Sequence, residues 1–200
     1  MTQIALTDNQ VINVLATSLE TASSQLTAQF ASMTPSVAWS AITLQKDQPS
    51  QQGAPTGPAI YFEKLFDMAY GFPMVSRVHV AAVPPSTQGT FSSTEAQWAE
   101  TTFQISAQAI QDPENLSVPT ASDIVNYMKL YMSSRPNLAY LKGQGIGILR
   151  PVQIRNPSFK DDRNVFEFNP SFDIVLQYLR SITAVIGATN IVQDQGLYPI

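Results

Sequence analysis

The chain has 200 residues, 44% of them hydrophobic and only 13% charged, with a formal net charge of −4 and a pI near 4.8. That balance argues against a protein that grips a nucleic-acid backbone, which needs clustered Lys and Arg. The absence of any cysteine excludes disulfides, thiolate metal sites and a cysteine nucleophile.

Soluble domains usually carry roughly 25% charged residues. The surface is therefore expected to be covered by Ser, Thr, Gln and Asn, or by other copies of the chain, which favours an obligate assembly. No stretch approaches the roughly 18 apolar residues that span a bilayer, so no membrane partner is expected. The opening MTQIALTDNQ has neither the basic start nor the apolar run of a signal peptide, and cytoplasmic synthesis is expected.

After Thr7 and Asp8, the residues Val11, Leu15, Leu19, Ala22, Leu26 and Phe30 recur every three or four positions. This stripe predicts a helix over about 8–32, capped by Thr7 or Asp8 and ended before Pro35. Residues 37–44 alternate and read as a strand, and 45–58, rich in Pro, Gly and Gln, read as a loop. Strands are predicted over 59–66 and 75–83, separated by a turn at Tyr70-Gly71-Phe72-Pro73. A polar loop over 84–96 is expected at a hairpin tip, and 98–110 is a further strand broken by Asp112-Pro113.

Thr120 followed by Asp123 is close to a capping box, and the pattern behind it predicts a helix over 121–134 that stops before Pro136. A short strand follows over 145–149, then a charged loop, then strand over 165–183 interrupted near Pro170, and a tail over 185–200. This order predicts an α+β fold in one domain spanning 1–200: a mostly antiparallel sheet with two main helices packed on one face.

Three features invite a chemical reading. His79 is the only histidine; it sits in an alternating strand and no Gly-x-Ser-x-Gly elbow accompanies it, so a strand position facing solvent or a subunit contact is expected. The run Gly143-Gln144-Gly145-Ile146-Gly147 has no helix after it and no Gly-Lys-Ser/Thr ending, and reads as a turn into an edge strand. Asp161, Asp162 and Glu167 hold carboxylates that a magnesium-dependent nuclease would need to converge on one point. Adjacent side chains on an extended chain diverge, and Lys160 and Arg163 flank the pair, so salt-bridged turn or interface residues are the better reading. No catalytic residue, cofactor or metal ligand is expected.

Several segments together resemble the neck terminator (tail terminator or gateway) proteins of tailed bacteriophages. They are Ala109-Ile110-Gln111-Asp112-Pro113, Thr120-Ala121-Ser122-Asp123-Ile124, Gln144 to Arg150, Ile154-Arg155-Asn156-Pro157, Phe159 to Arg163, Phe166-Glu167 and Pro170-Ser171-Phe172-Asp173. The resemblance covers roughly residues 58–178. The long first helix, the 45–58 loop and the tail depart from the pattern.

The resemblance implies a non-enzymatic α+β virion protein of the head–tail junction, assembled in the host cytoplasm. It would form a hexameric ring on the last ring of the tail tube, stop tube growth and meet a head-side connector or stopper protein. DNA would pass through its lumen without sequence-specific binding. The charged residues Arg150, Arg155, Lys160, Asp161, Asp162, Arg163 and Glu167 are then expected at the subunit interface, a heterologous contact that closes a ring. The alternatives are another head–tail junction or tail-tube subunit and, from a different class, a metal-dependent nuclease using Asp161, Asp162 and Glu167.

Overall fold

A computed structural model describes residues 5–33, 43–45, 58–81, 89–109, 119–156, 158–160 and 166–187. The first helix, α1 (Asp8–Met33), forms as its apolar stripe predicts. Its start is a capping box: the Thr7 hydroxyl accepts from the Gln10 backbone N–H at 3.4 Å, and the Gln10 side chain accepts from the Thr7 N–H at 2.8 Å. Val11, Leu15, Leu19, Ala22 and Leu26 are all buried.

The main sheet has five strands in the order β1-β2-β3-β7-β4. They are β1 (Thr43–Gln45), β2 (Ala59–Val80), β3 (Thr90–Gln108), β4 (Gly147–Pro151) and β7 (Ser171–Gly187). All neighbours are antiparallel except β1 and β2, which are parallel. A separate hairpin pairs β5 (Ser158–Lys160) with β6 (Phe166–Phe168). The α+β class is as expected from the sequence.

One face of the sheet carries Ile60 and Phe62 of β2, Phe103, Ile105 and Ala107 of β3, and Phe172, Ile174, Leu176 and Tyr178 of β7. These pack with α1 and with α2 (Ala121–Met132) in a single core. Their alternation along each strand is the period-two pattern of a half-buried sheet.

The expected box at Thr120 is present, with Asp123 bonding back to the Thr120 N–H at 3.0 Å. Pro136, however, does not simply lie beyond a helix end. α2 stops at Met132, and a third helix, α3 (Arg135–Gly143), starts there with Ser134 as its cap and Pro136 in its first turn. Pro suits that position because the first N–H groups of a helix need no intrahelical acceptor. Buried Asn137 ties the helices together: its amide donates to the Met132 carbonyl at 3.2 Å and its carbonyl accepts from the Ser18 hydroxyl.

Two further expectations are corrected. The predicted turn at Tyr70–Pro73 does not end a strand: β2 runs through it for 22 residues. Gly71, at φ +73°, and the two residues after it form a local irregularity between the pairs Tyr70–Trp98 and Met74–Ala96, and the Gln97 side chain donates to the Gly71 carbonyl at 2.7 Å. Pro is tolerated here because it sits at a bulge on a strand with no described neighbour on that side. The predicted 84–96 loop is also too long, because β3 begins at Thr90 and pairs on both sides from there. The proposed 37–44 strand (apart from Thr43–Leu44), most of the 45–58 loop, residues 110–118 and the tail beyond 187 lie outside the described residues.

Leu19→Ala, in the core, is expected to cost about 2–5 kcal/mol. Phe72→Ser, at a side chain 97% exposed on the bulge, should leave the melting temperature of the isolated chain within about 2 °C. Thermal unfolding followed by circular dichroism checks both.

Candidate assembly surface

The helices cover only part of the long strands. Among the described residues, the core under the helices has no member beyond Ala99 on β3 and Tyr178 on β7, while β2 continues to Val80, β3 back to Thr90 and β7 on to Gly187. At about 3.3 Å per residue, β2 alone spans roughly 70 Å, where a typical strand has about 5–6 residues. The outer halves of β2, β3 and β7 therefore make a three-stranded arm.

A charged cluster marks the root of this arm. Lys64 lies opposite Phe103 and so points to the helix side of the sheet. Asp67, three residues on, would face the other way in a regular strand. The register shift between Lys64 and Phe66 adds one residue, and Asp67 comes to lie opposite Thr101 on the same side as Lys64. Lys64 then reaches both Asp67 and Asp8, each at 2.6 Å. Arg180 pairs with the same two carboxylates, 3.0 Å from Asp67, and lies against the Tyr178 ring. The Tyr178 hydroxyl donates to Asp8 at 2.8 Å, and the Thr101 hydroxyl donates to Asp67 at 2.6 Å.

Two cations and two carboxylates thus balance one another where α1 starts, and Asp8 also complements the helix dipole. Burial raises the Asp8 pKa, but hydrogen bonds from Lys64 and Tyr178 and the charges of Arg180 and Lys64 outweigh it and hold the group at about 2. Asp67 is likewise lowered: burial opposes the shift, and Lys64, Thr101 and Arg180 overcome it. Burial pushes the Tyr178 hydroxyl up.

Beyond the cluster, the arm carries apolar side chains that nothing among the described residues covers. On the face away from the helices, β2 presents Phe66, Met68, Tyr70, Met74, Val78 and Val80 in one stripe, all exposed. Val185 on β7 shares that face at 71% exposure, and Ile182, on the opposite face, is 77% exposed. A monomer that leaves this much contiguous apolar surface in water is marked for an interaction.

Of the residues expected at an interface from sequence, Arg155 is placed most clearly. It bridges to Ser171 at the start of β7 and donates to Asp173 at 2.6 Å, within its own chain. With the Gln104 amide nitrogen turned to Glu63 at 3.1 Å, its oxygen accepts from Arg155 at 2.9 Å. Glu63, Gln104 and Asp173 stand in one cross-strand row over β2, β3 and β7, so Arg155 closes a polar ladder at the end of the sheet opposite the arm tip. Arg150 lies on β4 opposite Val175, Lys160 on β5 and Glu167 on β6. Asp161, Asp162 and Arg163 lie outside the described residues.

His79 is on the exposed arm, its ring 5.0 Å from that of Phe91. Gly145 ends α3 in a left-handed conformation, φ +80°, with the Ile146 N–H on the Leu141 carbonyl and the Gly145 N–H on the Lys142 carbonyl. The glycine run is thus a helix stop leading into edge strand β4. Among the described residues no group of three or more His, Asp or Glu is placed to hold a metal ion, and no helix is long and apolar enough to cross a membrane.

The cluster predicts a definite pH response. A carboxylate whose folded pKa lies below its unfolded value near 3.8 adds stability that is complete above that value and is lost as pH falls towards about 2. Asp8→Asn should flatten the acid limb of a stability-versus-pH curve over that window and leave its shape above about pH 5 unchanged. The effect will be modest, because Asp8 is 44% exposed and solvent screens the pairs. Chemical denaturation at stepped pH measures it.

The sequence was also compared with known proteins. No curated protein matches it. A family model described as E217 gateway protein gp29 matches residues 5–188, which takes in α1, the whole main sheet and the arm. The chain belongs to the E217 gateway protein gp29 family, a phage head–tail gateway family.

Proposed function

We propose that this chain is a non-enzymatic, ring-forming subunit that closes the tail tube of a tailed bacteriophage and joins it to the head-side connector. Membership of a phage gateway family supports a structural role among the virion proteins of the head–tail junction. The observation that carries the finer reading is the arm. It is a projecting sheet with an apolar stripe that nothing among the described residues covers, built on a body whose described core does not draw on it. Such an element adds nothing to monomer stability that would offset its exposure, and it is accounted for by contact with other subunits.

The low charge of the chain suits a surface largely occupied by neighbours, and its net charge of −4 suits a lumen through which DNA slides without being held. Six subunits around the axis is the stoichiometry that the family resemblance implies. The charged residues Arg150, Arg155, Lys160, Asp161, Asp162, Arg163 and Glu167 are proposed to make a second contact between subunits. Arg155 fits that role only in part: it is satisfied by Asp173 within the chain, yet its side chain is 54% exposed and remains within reach of a neighbour.

A second reading, a tail-tube subunit, draws on the same arm, because a stacking subunit would also need a long projecting element. The two differ in outcome. A closing subunit caps and stops; a tube subunit polymerises into filaments.

Negative-stain imaging and native mass spectrometry of the full chain, alone and with purified tails, separate these readings. The expected result is a closed ring of fixed number seated at one end of the tail. Filaments would favour the tube reading, and a chain that stays monomeric and leaves tails unbound would contradict both. Arg155→Glu places a carboxylate beside Asp173; it is expected to weaken the ring, read as a shift towards monomer in the same spectra, while the far-ultraviolet circular dichroism stays unchanged.

A further inference from the structure

Among the described residues, nothing lines the outer edges of the arm or covers its apolar faces. On β2, pairing with β1 ends at Tyr61, and no described strand lies beside the outer side of the strand from there to Val80. On β7, β4 ends its pairing at Gln177, the bridge from Ala5 reaches Leu179, and from Arg180 to Gly187 the outer side has no described neighbour. Native proteins usually blunt such edges with charges, prolines or bulges. The β7 edge has none of these after Arg180: Ser181-Ile182-Thr183-Ala184-Val185-Ile186-Gly187 is uncharged, rich in β-branched residues and free of proline. The β2 edge is divided by the irregularity at Gly71–Pro73, beyond which Met74–Val80 is again an unbroken run.

These two runs match. Each is seven residues long, and each lies at the same height in the arm. Met74 pairs with Ala96, which pairs with Ser181; at the far end Val80 pairs with Thr90, which pairs with Gly187. One copy therefore carries a receptive edge on its left and a complementary one on its right, on level rows. Moving a second copy by rotation alone, with no translation along the axis, sets the β7 edge of one against the β2 edge of the next, apart from the offset that strand tilt introduces. A heterologous contact of that kind closes into a ring and leaves no edge exposed. β2 and β7 run in the same direction, so the new pair is parallel.

We infer that the partner of the arm is a second copy of this chain, joined by parallel pairing of Ser181–Gly187 with Met74–Val80 of its neighbour, so that the arms of the ring form one continuous sheet. The inference rests on the ring reading above and specifies which surface closes it.

The chain has no cysteine, which permits a direct test with the full-length protein. Ser76→Cys is combined in turn with Ser181→Cys, Thr183→Cys or Val185→Cys, all on one face of the sheet. Within one copy the two positions are separated by β3, about 9–10 Å, beyond the roughly 7 Å limit for a disulfide, so any bridge must join two copies. The expected result is that one of the three registers gives, on mild oxidation, a ladder in denaturing gels that ends at the number of subunits in the ring and collapses to monomer with a thiol reductant. Each single-cysteine variant stops at dimers.

The double variant Ile182→Lys with Val185→Lys, at side chains already exposed, should abolish assembly at concentrations where the parent ring is complete, with no change in the monomer's melting temperature. Rings that form normally in the lysine variant, or that give no ladder in any register, overturn the edge pairing and leave the ring itself standing. Absence of any ring in the unmodified chain with tails present overturns both.

Discussion

Asp8, Lys64, Asp67 and Arg180 stand where the two-layer part of the molecule stops, and the arm depends on how they are held there. The first turn of α1, the middle of β2 and the exit of β7 meet at this point, and the described apolar core does not continue beyond it on the helix side. The meeting requires the extra residue in β2 at Leu65. Without it, Lys64 and Asp67 would point to opposite faces and Asp67 could not share Arg180 with Asp8. Partly exposed ion pairs contribute little each to stability, but four that share their partners define an orientation. They fix the direction in which three strands leave the core.

From that root the rest of the function follows by subtraction. The body folds on its own terms: one sheet face covered by three helices, capped at Thr7, Thr120 and Ser134 and stopped at Gly145. The polar ladder from Glu63 through Gln104 to Asp173 and Arg155 occupies the other face at the base. What the body does not use is the arm, and the arm is where exposed Phe, Met, Val and Ile collect. On the proposed reading, surface that would be a liability in a free monomer becomes contact area on assembly.

The body was readable from the sequence because its signals are local and periodic. Six apolar residues at helical spacing place α1 to within a residue at its C-terminus, and the Thr120–Asp123 pair places the start of α2. The family segments around Gln144–Arg150 and Pro170–Asp173 fall on the stop of α3, the edge strand β4 and the entry to β7. The arm was not readable as one object, for three physical reasons. Gly71 and Pro73 carry turn chemistry, yet the strand absorbs them as a bulge because the pairing on either side is long enough to hold the register. Thr90–Ala96 is rich in Ser and Thr, which suits a loop but equally a strand whose faces are only partly covered. Pro136 looks like an end and is a beginning, since Ser134 supplies a cap just ahead of it. The charged residues drew attention to Arg155 and its neighbours, whereas the stripe on β2 shows only when its two halves are known to be one strand.

Amide hydrogen exchange compared between the isolated chain and the tail-bound assembly tests the account most directly. The central region of β3 around Phe103–Ile105 should be protected in both states. The outward amides of Met74–Val80 and Ser181–Gly187 should exchange quickly in the isolated chain and slow by orders of magnitude on assembly. Protection that appears on assembly only around Arg155 and the β5–β6 hairpin, with the arm still exchanging freely, would contradict it and return the subunit interface to the charged segment.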